Sequence, residues 1–287
     1  MLWFFDHPEA HRWPMNALYR VMGVSKQSLY QRRKSMLDHH EEASILLHLV
    51  GEVRVDHPSM SARLIYEFIK PESMGRDKFE QMCFAGGYKL VRKRAFHKTT
   101  DSTGVIRFPN LVAGREVTGV NQVWVSDITY YLMEGRFYYL TFIMDLYSRL
   151  IVGYSVSRDR STKNTTIPAL KMALQKRTLT GELILHSDGG GQYYSADFLG
   201  LDKGLPIVHS MGKCAYDNAY AERINGTIKN DYLTGYAPFD YPSLQRKTAK
   251  AVRTYNEHRP HSNLNKMSPV AFEQSGLAIP MHIHEVK

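Results

Sequence analysis

Val123-Trp-Val-Ser-Asp127-Ile-Thr-Tyr-Tyr131 decides the fold, because it is a β-rich run with a carboxylate at its centre. Val, Ile, Trp, Tyr and Thr suit a pleated, packed surface. A charge inside such a run is costly unless it is paired or bound to a cation. Around it, Val120 to Tyr131, Phe137 to Leu146 and Leu150 to Ser157 share one texture, separated by Glu134-Gly-Arg136 and Tyr147-Ser-Arg149. Those separators are turn-like, so the segment predicts an antiparallel three-strand meander.

Further along, Thr165 to Arg177 predicts a helix that tolerates Pro168 in its first turn. Leu183 to His186 and Leu205 to His209 predict short strands, and Asn218 to Leu233 and Leu244 to His258 predict helices. That order is the order of a ribonuclease-H-like α/β fold.

Upstream the texture is helical. In Met15 to Lys34, Ala17, Leu18, Val21 and Met22 share one face, Gly23 breaks the helix and Ser25 can cap the next. Leu29 then faces inward while Lys26, Gln27, Arg32 and Arg33 face out. Two readings fit this spacing: a helix-turn-helix whose second helix enters the major groove, or a plain helical hairpin with a solvated basic face. Ala43 to Val53, Ala62 to Ile69 and Arg76 to Ala85 predict more helices, followed by the basic run Lys89 to Arg94, containing Arg92, Lys93 and Arg94. Such a run suits a DNA backbone or a solvated surface. Thr99 to Gly119 shows no periodicity and predicts a linker. The expected division is 1–38 (helix-turn-helix), 39–98 (second helical DNA-binding segment), 99–118 (linker), 119–275 (catalytic core) and 276–287 (tail).

The 287 residues carry a formal charge of +9 and 43% apolar residues. The excess of Lys and Arg suits a polyanionic partner, because phosphate contacts release condensed counterions. No apolar stretch approaches a bilayer span, and the N-terminus lacks a secretion signal. Two cysteines, Cys83 and Cys214, predict neither a disulfide framework nor a thiolate metal cluster. The expected home is the cytoplasm, in association with the nucleoid.

Three carboxylates stand out. Asp127 lies inside the first strand, Asp188 follows the strand Leu183 to Ser187 and precedes Gly189-Gly-Gly191, and Glu222 lies in the helix after Asp217. Strand ends leading into glycine loops are common ligand sites in α/β sheets. Hard oxygen donors without cysteine suit Mg2+ or Mn2+, and phosphodiester chemistry gives such a set its purpose. Taken singly, each is also an ordinary strand, turn or helix carboxylate. Asp145 competes as a site carboxylate, although Asp145-Leu-Tyr-Ser-Arg149 reads as support for a turn.

The local contexts carry a resemblance. His186-Ser-Asp-Gly-Gly-Gly-Gln-Tyr-Tyr-Ser195, Asp217-Asn-Ala-Tyr-Ala-Glu222 with Lys229, Tyr255-Asn-Glu-His-Arg-Pro-His-Ser-Asn-Leu264 and Met267-Ser-Pro269 occur in order. Together they resemble the integrase core of bacterial insertion-sequence transposases of the IS-three type, which is similar to retroviral integrases. The resemblance implies a mixed five-stranded sheet flanked by helices, preceded by all-α helix-turn-helix segments. It makes Asp127, Asp188 and Glu222 the metal-binding triad, holding two Mg2+ or Mn2+ ions. Lys229 would reach a DNA phosphate, Asn218 would support Glu222, Gln192 and Tyr193 would form a DNA-contacting loop beside the site, and Arg259 would take a DNA-facing or a structural position; Arg223, where the chain departs from the family, is also expected to contact DNA. The partners implied are double-stranded DNA, as element ends and target, and further copies of the chain in a homodimer or larger synaptic complex. The reaction implied is strand cleavage at terminal inverted repeats followed by 3′-hydroxyl attack on a phosphodiester. A non-catalytic DNA-binding regulator and a ribonuclease-H-like nuclease are the rival readings. The chain departs from the family at Gly189, at Arg223-Ile224 and in a shortened loop from Met211 to Tyr216. The paired histidines and cysteines of a retroviral zinc-binding domain are not seen, so no zinc is expected.

Overall fold

The computed structural model describes residues 7, 12–90, 108–212 and 215–283. Its N-terminal part begins with α1 (Met15–Val21), a turn at Gly23, whose φ is +63°, and α2 (Lys26–Asp56). Ser25 caps α2 by accepting from the Ser28 amide at 3.0 Å. Lys26, Gln27, Arg32 and Arg33 all lie exposed on its first turns. The 31 residues of α2 run straight through the expected division between 38 and 39. No proline or glycine interrupts Lys26 to Val50, so nothing local stops the helix.

Two shorter helices, α3 (Ala62–Ile69) and α4 (Arg76–Ala85), pack on the second half of α2 around Val50, Ile65, Phe79 and Cys83. This block sits on the remainder of the chain through the turn at His57. There His57 Nδ1 lies 3.1 Å from the Tyr232 hydroxyl, the Ser59 amide donates to Asp231 O at 3.2 Å, and Lys250 pairs with Asp56 at 2.7 Å. Arg92, Lys93 and Arg94 lie outside the described residues.

The central sheet contains β2 (Val123–Met133), β3 (Arg136–Asp145), β4 (Ile151–Ser157), β5 (Leu183–Ser187) and β6 (Ile207–Met211), preceded in the chain by β1 (Glu116–Val117). Its order is β4-β3-β2-β5-β6, with the meander antiparallel and β2-β5-β6 parallel. Period-two alternation sends Val123 and Val125 to one face and Trp124 to the other. Helix α5 (Thr166–Lys176) covers the Trp124 face, followed along the chain by the short α6 (Ala196–Leu199). On the opposite face lie α7 (Ala219–Gly226), its π-helical continuation Thr227–Leu233, and α8 (Tyr241–His258). The expected single helix from Asn218 to Leu233 is therefore two kinds of helix in series. The expected strand from Leu205 to His209 sits two residues later, where it pairs with β5. Among the described residues no helix is long and apolar enough to cross a membrane.

Two expectations are corrected at the ends of the core. The predicted linker contains β1, and the predicted tail contains β7 (Met281–His282), which pairs with it in antiparallel fashion. Val112, Val117 and Ile283 are buried there. Two-residue strands leave no periodicity to read; only pairing across the chain makes them. Between these comes α9 (Pro269–Ser275), capped by Ser268, which packs on α8.

The covering of β4 by α5 depends on Gly153. A Cβ there would stand 2.2 Å from the Ala169 carbonyl oxygen, a helix backbone that cannot give way. Gly153→Ala is expected to cost about 1–3 kcal/mol through overpacking, read as a melting temperature several degrees lower; an unchanged melting temperature would contradict this packing.

Candidate active site

The last rung between the parallel strands β2 and β5 joins Ser126 to Ser187. Asp127 and Asp188 are the next residue of each strand, so the two carboxylates stand side by side where the strands part. This is the carboxyl end of β5, beside the middle of the longer β2, and the end of a parallel strand is a usual ligand position of an open α/β sheet. Asp127 shares its parity with Val123 and Val125 and so faces α7. From α7, Asn225 donates Nδ2 to Asp127 Oδ2 at 2.7 Å. Asp188 turns into the glycine loop, accepting the Gly190 amide on Oδ1 at 3.2 Å.

Electrostatics tie the third carboxylate in. Burial and the neighbouring Asp188, with a further contribution from Glu222, push the Asp127 carboxyl up to about 8. Asp188 is raised by burial, and Glu222 by burial and by Asp188. Glu222 itself remains exposed on α7. Among the described residues no three His, Cys, Asp or Glu side chains are already drawn into a metal cage. The arrangement is an open one, two aspartates fixed by the sheet and a glutamate standing at the rim.

The donor set fits a divalent cation. Asp127, Asp188 and Glu222 each hold a proton more tightly than usual, chiefly because burial penalises the charged form, with Asp188 adding to it at Asp127 and Glu222, and Glu222 at Asp127. The buried Asn225 Oδ1 beside them has no hydrogen-bond partner. All of these are hard oxygen donors of the kind Mg2+ and Mn2+ take.

Lys229 departs from its expected placement. It lies in the π-helical segment and its Nζ donates to Thr129 Oγ1 at 2.7 Å and to Tyr130 O at 3.3 Å. It is thereby held on β2, within the field of Asp127, while burial lowers its proton affinity. Asn218, expected to support Glu222, instead ties the start of α7 to the sheet through Nδ2 and Ser126 O at 3.0 Å. His186 braces the same region from below, between Ser210 Oγ at 2.9 Å and Asp217 O at 3.1 Å.

Of the expected DNA-facing residues here, Arg223 is exposed, and Gln192 donates Nε2 to Arg160 O at 3.0 Å. Tyr193 is corrected: it is 3% exposed, its ring meets Phe198 edge-on, and its hydroxyl lies 2.9 Å from Ser126 Oγ. It is an internal support of the strand that carries Asp127. Tyr193→Phe is expected to lower stability by about 1 kcal/mol and to leave DNA affinity unchanged in a binding titration; a marked loss of affinity would restore a DNA contact. Arg259 takes the structural one of its two expected positions, because its guanidinium is withdrawn from the surface and paired with Asp231 at 2.8 Å. Asn225 escaped the reading of the sequence, although its position three residues after Glu222 places it on a neighbouring stretch of the same helix surface. Asp145 is fully buried and serves its turn, as expected.

Known families match this arrangement. Two segments match families described as integrase core domain, over residues 117–216 and 203–269. The uncharacterised 31 kDa protein of insertion element IS600 from Shigella sonnei is 32% identical over 265 residues, covering 89% of this chain and 97% of that protein. Transposase InsF of insertion sequence IS3A from Escherichia coli K12 is 35% identical over 164 residues. The chain belongs to the IS3-type integrase-core transposases. As a member of that family it is a DNA transposase, a polynucleotidyl transferase of the three-carboxylate kind. The match to InsF spans 56% of the transposase described here and 57% of InsF. Similarity also extends to the HTLV-2 integrase catalytic core solved with magnesium, at 25% identity, 52% and 93% coverage and a TM-score of 0.42. The simian T-cell lymphotropic virus intasome matches at 18% identity, 79% and 78% coverage and a TM-score of 0.47.

Proposed function

We propose that this transposase binds the terminal inverted repeats of its own element and uses Asp127, Asp188 and Glu222 for metal-dependent strand cleavage and strand transfer. The observation that carries the reading is the pairing of Asp127 with Asp188 one residue beyond the last β2–β5 rung, with Glu222 in their field. Two divalent ions, Mg2+ or Mn2+, would supply Lewis-acid stabilisation to the attacking and leaving oxygens. Asp127 and Asp188 hold the fixed side of the cleft, and Glu222 closes it from α7. Asn225 fixes the orientation of Asp127, and the glycine loop fixes that of Asp188. In the first step water attacks a phosphodiester at the element end, and the 3′-oxygen leaves as a hydroxyl. In the second, that hydroxyl attacks another phosphodiester and a second 3′-oxygen leaves, so bonds are exchanged without an external energy source.

End recognition falls to Lys26, Gln27, Arg32 and Arg33 on the first turns of α2, which are exposed in the manner of a recognition helix. Holding two ends together requires a dimer or a larger assembly. The test is incubation of the purified protein with labelled terminal-repeat DNA and Mg2+, together with a substrate that already carries a free 3′-hydroxyl. Cleaved and joined products are expected. Binding with no product in Mg2+ or Mn2+ would overturn autonomous catalysis, and cleavage without joining of the pre-cut end would make the enzyme a nuclease.

A further inference from the structure

The residue before Asp127 is a serine, fully buried in a stretch of β2 that is otherwise apolar, Val123-Trp-Val125. Ser126 shares the parity of Trp124 and so points away from Asp127, to the other face of the sheet. Its oxygens nevertheless tie together the elements that carry the carboxylates. The hydroxyl donates to Phe142 O on β3 at 3.0 Å. With its single proton spent there, it accepts from the Tyr193 hydroxyl at 2.9 Å. Its carbonyl accepts Asn218 Nδ2 at 3.0 Å.

Two of these bonds lead on to a carboxylate. From Tyr193 the path runs through its amide, which donates to Gly190 O at 3.0 Å, and the Gly190 amide, which donates to Asp188 Oδ1 at 3.2 Å. The Tyr193 hydroxyl therefore anchors the far side of the loop that holds Asp188. Asn218 stands at the N-cap of α7, four residues before Glu222 and so on the same helix face. An asparagine there ordinarily accepts an amide of the first turn, yet Asn218 makes no such bond and reaches the sheet instead. It fixes where the helix stands at the expense of the helix's own cap.

We propose that Ser126 is the positioning residue of the carboxylate site, holding the Asp188 loop through Tyr193 and the Glu222 helix through Asn218 against the strand that carries Asp127. This rests on the strand-transfer reading of the three carboxylates. Ser126 faces away from the donors that would hold the ions, so it acts by setting their spacing. Residues that orient metal ligands from behind commonly change metal affinity about 10-fold or more when lost. A displacement of about 1 Å is enough to slow a reaction about 100-fold.

Mn2+ binding to the full chain, followed by titration calorimetry well below the melting temperature, reads this. Ser126→Ala and Tyr193→Phe are each expected to raise the Mn2+ dissociation constant about 10-fold. The double variant is expected to show the loss of Ser126→Ala alone, because both substitutions break the same bond. Stability should behave differently. Ser126→Ala leaves the buried Tyr193 hydroxyl without its acceptor, whereas the double variant removes that donor and regains part of the melting temperature. Recovery of stability without recovery of Mn2+ affinity is the signature of positioning. Tyr193→Phe strands no donor, so it keeps the test decisive if Ser126→Ala fails to fold. Mn2+ affinity unchanged in Tyr193→Phe, or restored together with the melting temperature in the double variant, would overturn the proposal. Asp188→Asn, measured alongside, separates the two readings. If it leaves Mn2+ binding and product formation intact, the carboxylate site itself fails. If it abolishes both while Ser126→Ala and Tyr193→Phe bind Mn2+ as the unaltered protein does, only the positioning role fails.

Discussion

Replacing Asp127 by asparagine is expected to abolish cleavage and joining while raising the melting temperature of the metal-free protein. The loss follows from removing a charged oxygen donor from a site whose ions stabilise the transition state by several kcal/mol, a rate effect of about 1,000-fold or more. The gain follows from electrostatics. Asp127 is pushed up to about 8 by burial and by Asp188 and Glu222. A carboxyl whose folded value lies above its unfolded one favours the native state below the unfolded value, and that contribution is lost as pH rises through the folded value. The metal-free protein should therefore lose stability between about pH 4 and pH 8, and the substitution should flatten that slope. Each kcal/mol recovered would appear as about 2–4 °C at this size. Saturating Mg2+ should narrow the gap by binding the unaltered protein. Calorimetry across that pH range, with and without Mg2+, checks the stability claim; a lower melting temperature for Asp127→Asn at pH 8 without metal would sink it.

Asp145→Ala is expected to do the opposite. Asp145 is fully buried, like a site residue, but every oxygen has work within the fold. Its Oδ2 accepts the Asn121 amide at 2.6 Å, and its Oδ1 accepts the amides of Tyr147 at 2.9 Å and Ser148 at 3.1 Å. Those bonds close the β3–β4 turn and pin the entry to β2. Truncation leaves three backbone donors unpaired, two of them in a place water does not reach, at about 1–3 kcal/mol for each of those two. The outcome should be a fall in melting temperature of ten degrees or more, on the order of 2–4 °C per kcal/mol, or insoluble protein. Asp145→Asn, which keeps one acceptor oxygen, should fall between. Near-native stability for Asp145→Ala would show that the turn closes without it. Two carboxylates in paired strands thus divide: one destabilises the empty fold, the other holds it together.

The sequence alone determined a good deal here. The three-strand meander, α5 and β5 were legible because alternation and turn chemistry are local, and Ser25 stands where a helix start requires it. Asp127 and Asp188 were legible because charge is conspicuous at the middle or end of an apolar strand. What only the tertiary structure decided is which partner each side chain meets. Tyr193 reads as an outward residue and Arg259 as either outward or structural, and the fold turns the first under β2 and the second onto Asp231. Asn225 reads as an ordinary helix residue until α7 lies across β2 and presents it to Asp127. The strands β1 and β7 exist only because residues 116–117 and 281–282 meet. Periodicity and capping are short-range and survive in the linear order of residues, whereas burial and the choice of hydrogen-bond partner arise from contacts between distant segments that are made when the sheet and its helices pack.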